Sequence, residues 1–309
     1  MAGTLPSVAV TGASGFVGRA LVSHLHVAGR KVVAISRGGA SPPVKVSDIR
    51  VDSYLDPMAL RVAFAGIDAV VHLAAHAHRG GTPEEFAASR QATAAVLQAA
   101  ADAGVRRFVF VSSIGVHGNV THASPFTEDS PLAPVEPYAA SKLEAERLVT
   151  ASPLQTVILR PPLVHGPQAP GNFGRLMQAV RRGWWLPLGA VHNARTLIGR
   201  DNLLDLIGLC VDHPAATGQA FVAGDAEDLS TPEIVRSLAD GMGRPARMLS
   251  LPPAWLRAGA TLAGRPRLAE SLCASLQVDS AKARRLLGWQ PRLTAQEGLR
   301  QAAREEVAT

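Results

Sequence analysis

The chain is poor in several residue types, and each scarcity excludes a class of protein. Its 309 residues include only two cysteines, Cys210 and Cys273. They lie far apart and without the spacing of a metal motif, so we expect buried thiols in a reducing compartment and no metal site. No apolar run reaches the ~18 residues of a spanning helix, and the first residues lack a signal-peptide pattern. These absences predict a cytoplasmic protein without an integral membrane segment.

Lysine is also scarce, which affects how the charge is interpreted. The net charge is +6 at pH 7, yet the chain has only four lysines. The positive charge comes from scattered arginines rather than from a basic patch interleaved with aromatic residues. We therefore do not expect nucleic acid as a partner. Strands that alternate with helices along the sequence instead predict an α/β protein with a parallel sheet.

Tyrosine is scarcer still, which makes the position of one tyrosine informative. The chain has only Tyr54 and Tyr138, and Lys142 stands four residues after the second. The segment 137–146 is rich in alanine and starts with proline, as helices often do. A spacing of four places phenol and ammonium on one helical face, where the cation lowers the pKa of the phenol and suits it to acid/base catalysis. The alternative is a surface tyrosine beside a solvated lysine.

A glycine-rich turn near the start of the sequence favours the catalytic interpretation. A short apolar strand, 7–10, leads into the turn, and a helix over 19–28 and a strand over 31–36 follow it. Glycines permit a tight turn, and the helix N-terminus offers N–H groups to a pyrophosphate. We therefore predict a Rossmann-type doubly wound parallel sheet that binds a dinucleotide. The turn supplies six predicted cofactor contacts, which are Gly12, Ser14, Gly15, Phe16, Val17 and Gly18.

The end of the second strand indicates which cofactor is bound. NAD-binding proteins usually have a carboxylate there for the ribose 2′-hydroxyl, whereas this chain has Ser36 and Arg37. An arginine suits a 2′-phosphate, so NADP(H) is favoured and NAD(H) stays open. The alternative for Arg37 is a solvated loop arginine. Asp52, after the next short strand, is the predicted partner of the adenine.

Further motifs give the chain a resemblance to a known family. They are the glycine turn, the strands 69–75 and 108–113, the Tyr138–Lys142 pair, the segment 159–167 and a C-terminal signature over 279–289. Together they resemble the extended short-chain dehydrogenases/reductases of the NAD-dependent epimerase/dehydratase family, which act on nucleotide sugars. The likeness runs nearly end to end. It implies four further cofactor contacts, at Leu73, Ala74, Ala75 and Pro161.

The same resemblance implies a catalytic trio. Ser113 would hold the C4 oxygen of a UDP-sugar, and Tyr138 would give or take its proton. Lys142 would lower the pKa of the phenol and bind the nicotinamide ribose, so Tyr138 and Lys142 also count as cofactor contacts. Ser112 comes one residue earlier in the strand, where side chains point to the opposite face. We therefore expect Ser113, and not Ser112, in the site.

Substrate contacts are predicted in the second half of the chain. Arg195 matches the family's arginine for the sugar-nucleotide pyrophosphate, and the alternative is a surface strand arginine. Asn172 and Arg175 lie where a nucleotide-binding loop and helix are expected. The adjacent pair Trp184-Trp185 is expected either to line the uridine pocket or, more often for such a pair, to pack in the core.

We divide the chain into a dinucleotide-binding part, 1–165, and a smaller substrate-binding part, 166–309. The second part is partly interleaved with the first through a segment that returns to the sheet. Proline-rich stretches at 41–43 and 124–137 are predicted surface loops, and the later one leads into the catalytic helix. The resemblance implies a homodimer formed by helices around 84–103 and 137–150.

Departures from the family pattern narrow the function. Ile114 and Gly115 replace the Asp-Glu pair that dehydratases carry after the catalytic hydroxyl residue, which argues against 4,6-dehydration. The family's tyrosine in Val-Tyr-Gly is replaced twice, by His117 and His165. Three further family elements are altered or missing, at positions now held by Ser89, Leu163 and Arg267.

Two reactions fit this sequence. The first is NADPH-dependent reduction of a UDP-linked 4-keto-6-deoxy-N-acetylhexosamine, and the second is 4-epimerisation of a UDP-hexose with tightly held NAD. Arg37 and the lost epimerase residues favour the reductase, because net reduction consumes external NADPH. Less favoured are reduction of a non-sugar ketone and a non-catalytic NADP-sensing module, against which the intact trio argues.

Overall fold

A computed structural model describes residues 5–39, 41–74, 82–262, 264 and 266–308 of the chain. The strands in these ranges are β1 Val8–Thr11, β2 Val32–Ser36, β3 Ser47–Arg50, β4 Ala69–His72, β5 Arg107–Val111, β6 Gln155–Arg160, β7 Leu163–His165, β8 Arg195–Gly199, β9 Gln219–Val222 and β10 Asp228–Leu229. The helices are α1 Phe16–Val27, α2 Pro57–Ala63, α3 Pro83–Asp102, α4 Pro137–Thr150, α5 Gly171–Arg181, α6 Arg200–Asp212, α7 Thr231–Gly241, α8 Pro253–Leu262, α9 Pro266–Cys273, α10 Ala281–Leu287 and α11 Ala295–Ala308.

Seven strands form one parallel sheet in the order β3-β2-β1-β4-β5-β6-β9. The direction of winding reverses between β1 and β4, and ligands of open α/β sheets bind at such a reversal, outside the carboxyl ends of the strands. The predicted Rossmann-type parallel sheet is therefore confirmed. The first helix begins at Phe16, three residues earlier than its apolar pattern predicted.

Apolar side chains cover both faces of the sheet because strand residues alternate between them. In β1, Val8 and Val10 pack on the face that α1 and α6 cover, and Ala9 packs on the opposite face with residues of α2, α3 and α4. Both cysteines are buried, as expected, and Trp289 of the C-terminal signature lies in the first of these cores. The carboxyl ends of the central strands are thus held between two packed layers.

The second half of the chain returns to this sheet. The last strand, β9, pairs in parallel with β6. Beyond them, β7 pairs in parallel with β8, and β10 pairs with β8 in the antiparallel sense. A separate core forms where α5, α7 and α11 pack together. The division at residue 165 stays a prediction, although the return of β9 accounts for the expected interleaving.

Local sequence determines where the helices beside the cleft begin. At α3, Thr82 and Glu85 form a capping box, in which each side chain bonds the backbone N–H of the other residue. At α4, Pro137 occupies the first helical position, where its missing N–H costs nothing. No helix in the described part of the chain is both long and apolar enough to cross a membrane.

Candidate active site

A cleft of about 2700 Å³ opens at the carboxyl ends of β1, β4 and β5. One wall consists of the glycine turn, the ends of these strands and the first turn of α4, and the other consists of α5 with parts of β8, α7 and α9. Most of the residues predicted for cofactor, catalysis and substrate line this cleft: Gly12, Ser14, Gly15, Phe16, Val17, Gly18, Arg37, Asp52, Leu73, Ala74, Ser113, Tyr138, Lys142, Pro161, Asn172, Arg175 and Arg195.

Two predicted cofactor contacts are not among the lining residues. Ser36 is buried at the end of β2 and does not face the cleft. In a strand, the residue that follows faces the other way, and Arg37 does line the cleft. Ala75 lies outside the described residues.

The glycine turn leaves room only for backbone. Gly12 has φ 73°, and a Cβ there would lie 2.8 Å from the amide nitrogen of Ala74. A Cβ on Gly18 would lie 2.1 Å from the carbonyl oxygen of Gly12. Helix α1 then starts after Gly15 without a side-chain cap and without an acidic residue in its first turn. These features fit the pyrophosphate of a dinucleotide, since they leave helix N–H groups and the positive dipole end for an anion.

Tyr54 connects the glycine turn to β2, a role that sequence reasoning did not assign. Its hydroxyl accepts a hydrogen bond from the amide of Gly12 at 2.8 Å and donates one to the carbonyl oxygen of Ile35 at 3.0 Å. Burial raises the pKa of this phenol, so it stays neutral. The guanidinium carbon of Arg37 lies 5.8 Å from the centre of the Tyr54 ring. Arg37 is thereby held beside the glycine turn, at the end of the cleft where the adenine ribose is predicted to bind.

The three residues of the predicted catalytic trio come from two neighbouring elements. Ser113 ends the β5 segment, and its Oγ accepts a hydrogen bond from the amide of Gly115 at 3.1 Å, which caps a 3₁₀ turn. Tyr138 lies in the first turn of α4, half-buried, with its ring centre 6.5 Å from that of Phe86. Ser113 is also half-buried; Ser112 is buried but contributes to the lining of the cleft too, so the cleft lining alone does not separate the two serines. Serine and tyrosine hydroxyls thus line one part of the cleft.

Lys142 lies one turn after Tyr138 and is buried. Its Nζ donates a hydrogen bond to the carbonyl oxygen of Val111 at 2.8 Å and lies 4.6 Å from the centre of the Phe110 ring. Burial lowers the pKa of this ammonium to about 8, and the charge of Glu146 opposes that shift. The lysine therefore remains mostly protonated at neutral pH, with its pKa shifted toward neutrality as is common at functional sites.

A buried ion pair lies directly behind the trio, and sequence reasoning did not find it. Glu146, one turn after Lys142, accepts two hydrogen bonds from Arg160 of β6, from Nε at 3.1 Å and from Nη2 at 2.7 Å. Both side chains are buried. Because the bidentate arrangement satisfies both carboxylate oxygens, the pair can remain charged inside the protein. It joins α4 to β6, the strand beneath it.

His117, which replaces a family tyrosine, extends this network to the loop before α4. Its Nδ1 lies 3.0 Å from the carbonyl oxygen of Ser130 and 3.2 Å from that of Pro131, so Nδ1 must carry the hydrogen. The bare Nε2 then accepts a hydrogen bond from Nη1 of Arg160 at 3.0 Å. Burial, and next the neighbouring Arg160, lower the pKa of His117. The ring therefore stays neutral and attaches the loop to the ion pair.

His72, at the end of β4, forms a second buried network. Its Nδ1 lies 2.7 Å from the hydroxyl of Thr11, and its Nε2 lies 3.2 Å from the hydroxyl of Thr93. The Thr93 hydroxyl donates to the carbonyl oxygen of Ser89, so it accepts from Nε2–H of the histidine. Burial lowers the pKa of His72 to about 3. A neutral chain of hydrogen bonds thus ties β1 and β4 to α3, beside the cleft residue Ser89.

The second histidine that replaces a family tyrosine, His165, lies in the second half of the chain and links two of its elements. It ends β7, is buried, and its Nε2 lies 3.4 Å from a carboxylate oxygen of Asp225. The same carboxylate accepts hydrogen bonds from the amide of Gly199 at 2.9 Å and from the side chain of Asn202 at 2.8 Å. These contacts tie β7 to the start of α6. Neither His165 nor His117 lines the cleft, so both replacements act through packing and hydrogen bonds.

The residues predicted to contact the substrate are more exposed than the residues behind the cofactor wall. Asn172 and Arg175 lie in the first half of α5 and are exposed, and Arg195 begins β8 and is half-buried. Nη1 of Arg195 donates to the carbonyl oxygen of Ala274 at 3.0 Å. Neither expectation for Trp184 and Trp185 holds, because both are exposed and neither lines the cleft. They follow the end of α5 on a turn that carries them away from the core.

The comparisons with known proteins agree with this geometry. Residues 8–224 match the model of the NAD dependent epimerase/dehydratase family. The chain belongs to this family. It is therefore an enzyme with an extended short-chain dehydrogenase/reductase fold, and the resemblance drawn from its motifs is confirmed.

Relatives within the family differ in reaction. The chain is 35% identical to a UDP-glucose 4-epimerase of Vibrio cholerae over 96% of this chain and 94% of that one. It is 32% identical to a 2-alkyl-3-oxoalkanoate reductase of Stenotrophomonas maltophilia over 97% and 99% of the two chains. A solved structure of MoeE5 in complex with UDP-glucuronic acid and NAD matches with a TM-score of 0.77 and 28% identity, and covers 98% of this chain and 99% of that one. The family thus includes both epimerases and ketone reductases.

Proposed function

We propose that this enzyme is an NADPH-dependent 4-ketoreductase acting on a UDP-linked 4-keto-6-deoxy-N-acetylhexosamine. The observation that carries the choice of reductase is Arg37, which lines the cleft beside Tyr54. From Ser36 to Ser47 the chain contains no aspartate or glutamate that would repel a 2′-phosphate. NADPH is the external reductant that a net reduction consumes, whereas an epimerase recycles its own NAD.

Ser113, Tyr138 and Lys142 account for the protonation of the substrate oxygen. The bound cofactor supplies the hydride, and the protein positions and protonates the substrate. In this proposal the Ser113 hydroxyl holds the C4 carbonyl oxygen, and Tyr138 donates the proton that this oxygen takes up on reduction. Lys142, held under the strand end by Val111, favours the phenolate that remains.

Arginines on the other wall suit the diphosphate of the substrate. Arg175 and Arg195 line the cleft, and a planar guanidinium binds such oxygens in a bidentate manner. From Arg147 to Arg200 the chain has no acidic residue, so nothing in this segment opposes an anionic ligand. Dehydration is not part of the proposal, since the 3₁₀ turn after Ser113 places Ile114 and Gly115 where an acid/base pair would be needed.

Epimerisation at C4 of a UDP-hexose is the second candidate. It is favoured by the 35% identity to the epimerase of V. cholerae. The same trio would serve it, with Tyr138 first accepting the proton and then returning it. NAD, which is bound in the MoeE5 structure, would be the cofactor in that case.

One experiment separates the two. Purified enzyme is incubated with NADPH and a UDP-4-keto-6-deoxy-N-acetylhexosamine, and the absorbance of NADPH is followed. Consumption of NADPH with formation of the 4-hydroxy sugar supports the reductase. Absence of consumption, together with interconversion of UDP-glucose and UDP-galactose without added cofactor, overturns it in favour of the epimerase.

The homodimer and the cytoplasmic location remain proposals. Helices α3 and α4 pack against each other along one side of the sheet, and both carry small residues, which suits pairing with a second copy. Sedimentation of the purified chain tests the dimer directly.

A further inference from the structure

An exposed aromatic surface lies next to the substrate side of the cleft. It consists of Trp184, Trp185, Leu249, Leu251, Trp255 and Leu262, which we call the tryptophan surface. Trp255 is 74% exposed and Leu262 is 90% exposed. Seven positions apart on α8, these two share one helical face. Large apolar side chains grouped in this way on a protein surface mark a site of interaction.

Two chain segments bring these residues together. The amide of Leu186 donates to the carbonyl oxygen of Arg247 at 2.9 Å, and the amide of Leu249 donates back to Leu186 at 2.8 Å. The segment 184–189 therefore runs beside 247–251, which continues directly into α8. The guanidinium of Arg182 lies 5.4 Å from the centre of the Trp184 ring. The tryptophan surface is thus formed by two hydrogen-bonded segments, 184–189 and 247–251, and by helix α8, which follows the second of them.

The charge close to this surface is mainly positive. From Gly241 to Leu262 the sequence has three arginines and no acidic residue, and the exposed carboxylates Asp240 and Glu270 lie outside that segment. The adjoining end of α5 adds Arg181 and Arg182, both exposed. Tryptophan with arginine is the combination found where proteins enter the headgroup region of a bilayer, because the ring is amphipathic and the cation attracts anionic lipid.

We propose that the tryptophan surface binds the surface of an anionic lipid bilayer, so that this enzyme works as a peripheral membrane protein. The tryptophan surface lies close to the substrate side of the cleft, so binding to a bilayer would affect how substrate reaches the site. Helix α5 lines the cleft with its first half, and α8 packs against α9, whose Ser271 and Leu272 also line the cleft. Docking of this face would hold the substrate side of the cleft near the headgroups. The inference does not depend on which of the two reactions the enzyme catalyses.

The tryptophans themselves provide the measurement. Three of the four tryptophans lie on this surface, and the fourth, Trp289, is buried. Vesicles of phosphatidylglycerol and phosphatidylcholine in a 3:7 ratio are titrated into the full chain, with pure phosphatidylcholine as the comparison. We expect a blue shift of the emission and co-sedimentation with the anionic vesicles only, both weakened by raised salt.

Matched variants locate the contact. In W184S/W185S/W255S we expect the vesicle partition coefficient to fall at least about tenfold, and in R182Q/R257Q by about tenfold. The control V27S/M58S replaces exposed apolar residues elsewhere on the molecule and should leave partitioning unchanged. NADPH binding and the thermal unfolding midpoint are measured for every variant to verify folding.

Three outcomes would overturn the proposal. One is a lack of binding to anionic vesicles by the unaltered chain. Another is binding that the tryptophan variant retains. The third is a concentration-dependent self-association that the tryptophan substitutions abolish while vesicles have no effect, which would assign the surface to a second copy of the chain.

Discussion

The two walls of the cleft are built on different principles. On the cofactor wall, a Cβ added at Gly12 or Gly18 would lie within 3 Å of backbone atoms, and the side chains behind the turn form buried hydrogen-bond networks. On the substrate wall, the candidate contacts Asn172 and Arg175 are exposed and Arg195 is half-buried. The cofactor wall is therefore held by buried backbone and paired charges, whereas the substrate wall presents side chains that can change without disturbing the core.

The largest expected effect is on the cofactor wall, at the phenol. In Tyr138→Phe the proton donor is lost, and kcat should fall by about 10²–10⁴-fold. NADPH oxidation is the measurement, and the Kd for NADPH, determined by fluorescence, should change little. A variant that keeps full activity would show that the proton comes from another group.

The ion pair behind the trio gives the next largest effect. Glu146→Gln leaves Arg160 as a buried charge without its partner, and breaking such a pair costs about 3–5 kcal/mol of unfolding free energy. Denaturant unfolding measures this cost. Because the charge of Glu146 raises the pKa of Lys142, its loss should lower that pKa below about 8.

This variant also has a kinetic signature. If activity requires the Lys142 cation, kcat/KM falls as pH rises through the lysine pKa, and the decline should move to lower pH in Glu146→Gln. Glu144→Gln is the matched control, since its carboxylate on the same helix is half exposed and contacts Arg90 at 3.6 Å. An unchanged pH profile in Glu146→Gln would show that the ion pair does not influence catalysis and that it only stabilises the fold.

The close backbone approach at the glycine turn is tested by adding one methyl group. Gly12→Ala combines a left-handed backbone with a Cβ 2.8 Å from the Ala74 amide, so NADPH should bind at least about tenfold more weakly. Gly259→Ala is the control, because a Cβ there meets no atom within 4 Å. Equal NADPH affinity in both variants would contradict the assignment of this turn to the cofactor.

The smallest expected effect concerns the choice of cofactor. Arg37→Ser removes a charge-assisted contact worth about 1.5–3 kcal/mol, so the ratio of kcat/KM for NADPH over NADH should fall by about tenfold or more. Activity with NADH should stay nearly constant. If the ratio does not change, Arg37 is the solvated loop residue of the alternative interpretation and no longer favours the reductase over the epimerase.

The sequence was sufficient to predict those features that are local in the chain. The glycine turn and the spacing of Tyr138 and Lys142 each lie within one short segment, and both lie where they were expected. The ion pair could not be predicted, because Glu146 and Arg160 come from a helix and a strand and meet only in the folded chain. His117 was noted as a departure from the family, but its tautomer and its partner depend on a loop and a strand that are distant in sequence.

Trp184 and Trp185 show another limit of sequence reasoning. Apolar character predicted a pocket or a core, yet the turn after α5 directs both rings outward. Periodicity indicates which residues of a helix share a face, but it does not indicate where the chain goes once the helix has ended. Only the pairing of 184–189 with 247–251 reveals the direction.

The buried imidazole of His72 also makes a spectroscopic marker available. Its hydrogen-bond partners allow only the tautomer with hydrogen on Nε2, and with a pKa of about 3 the ring does not ionise near neutrality. Such a proton, shielded from water on all sides, exchanges slowly and should give a resolved downfield resonance in the NMR spectrum. Its chemical shift would report on α3 at Ser89 and so follow events in the cleft without any added label.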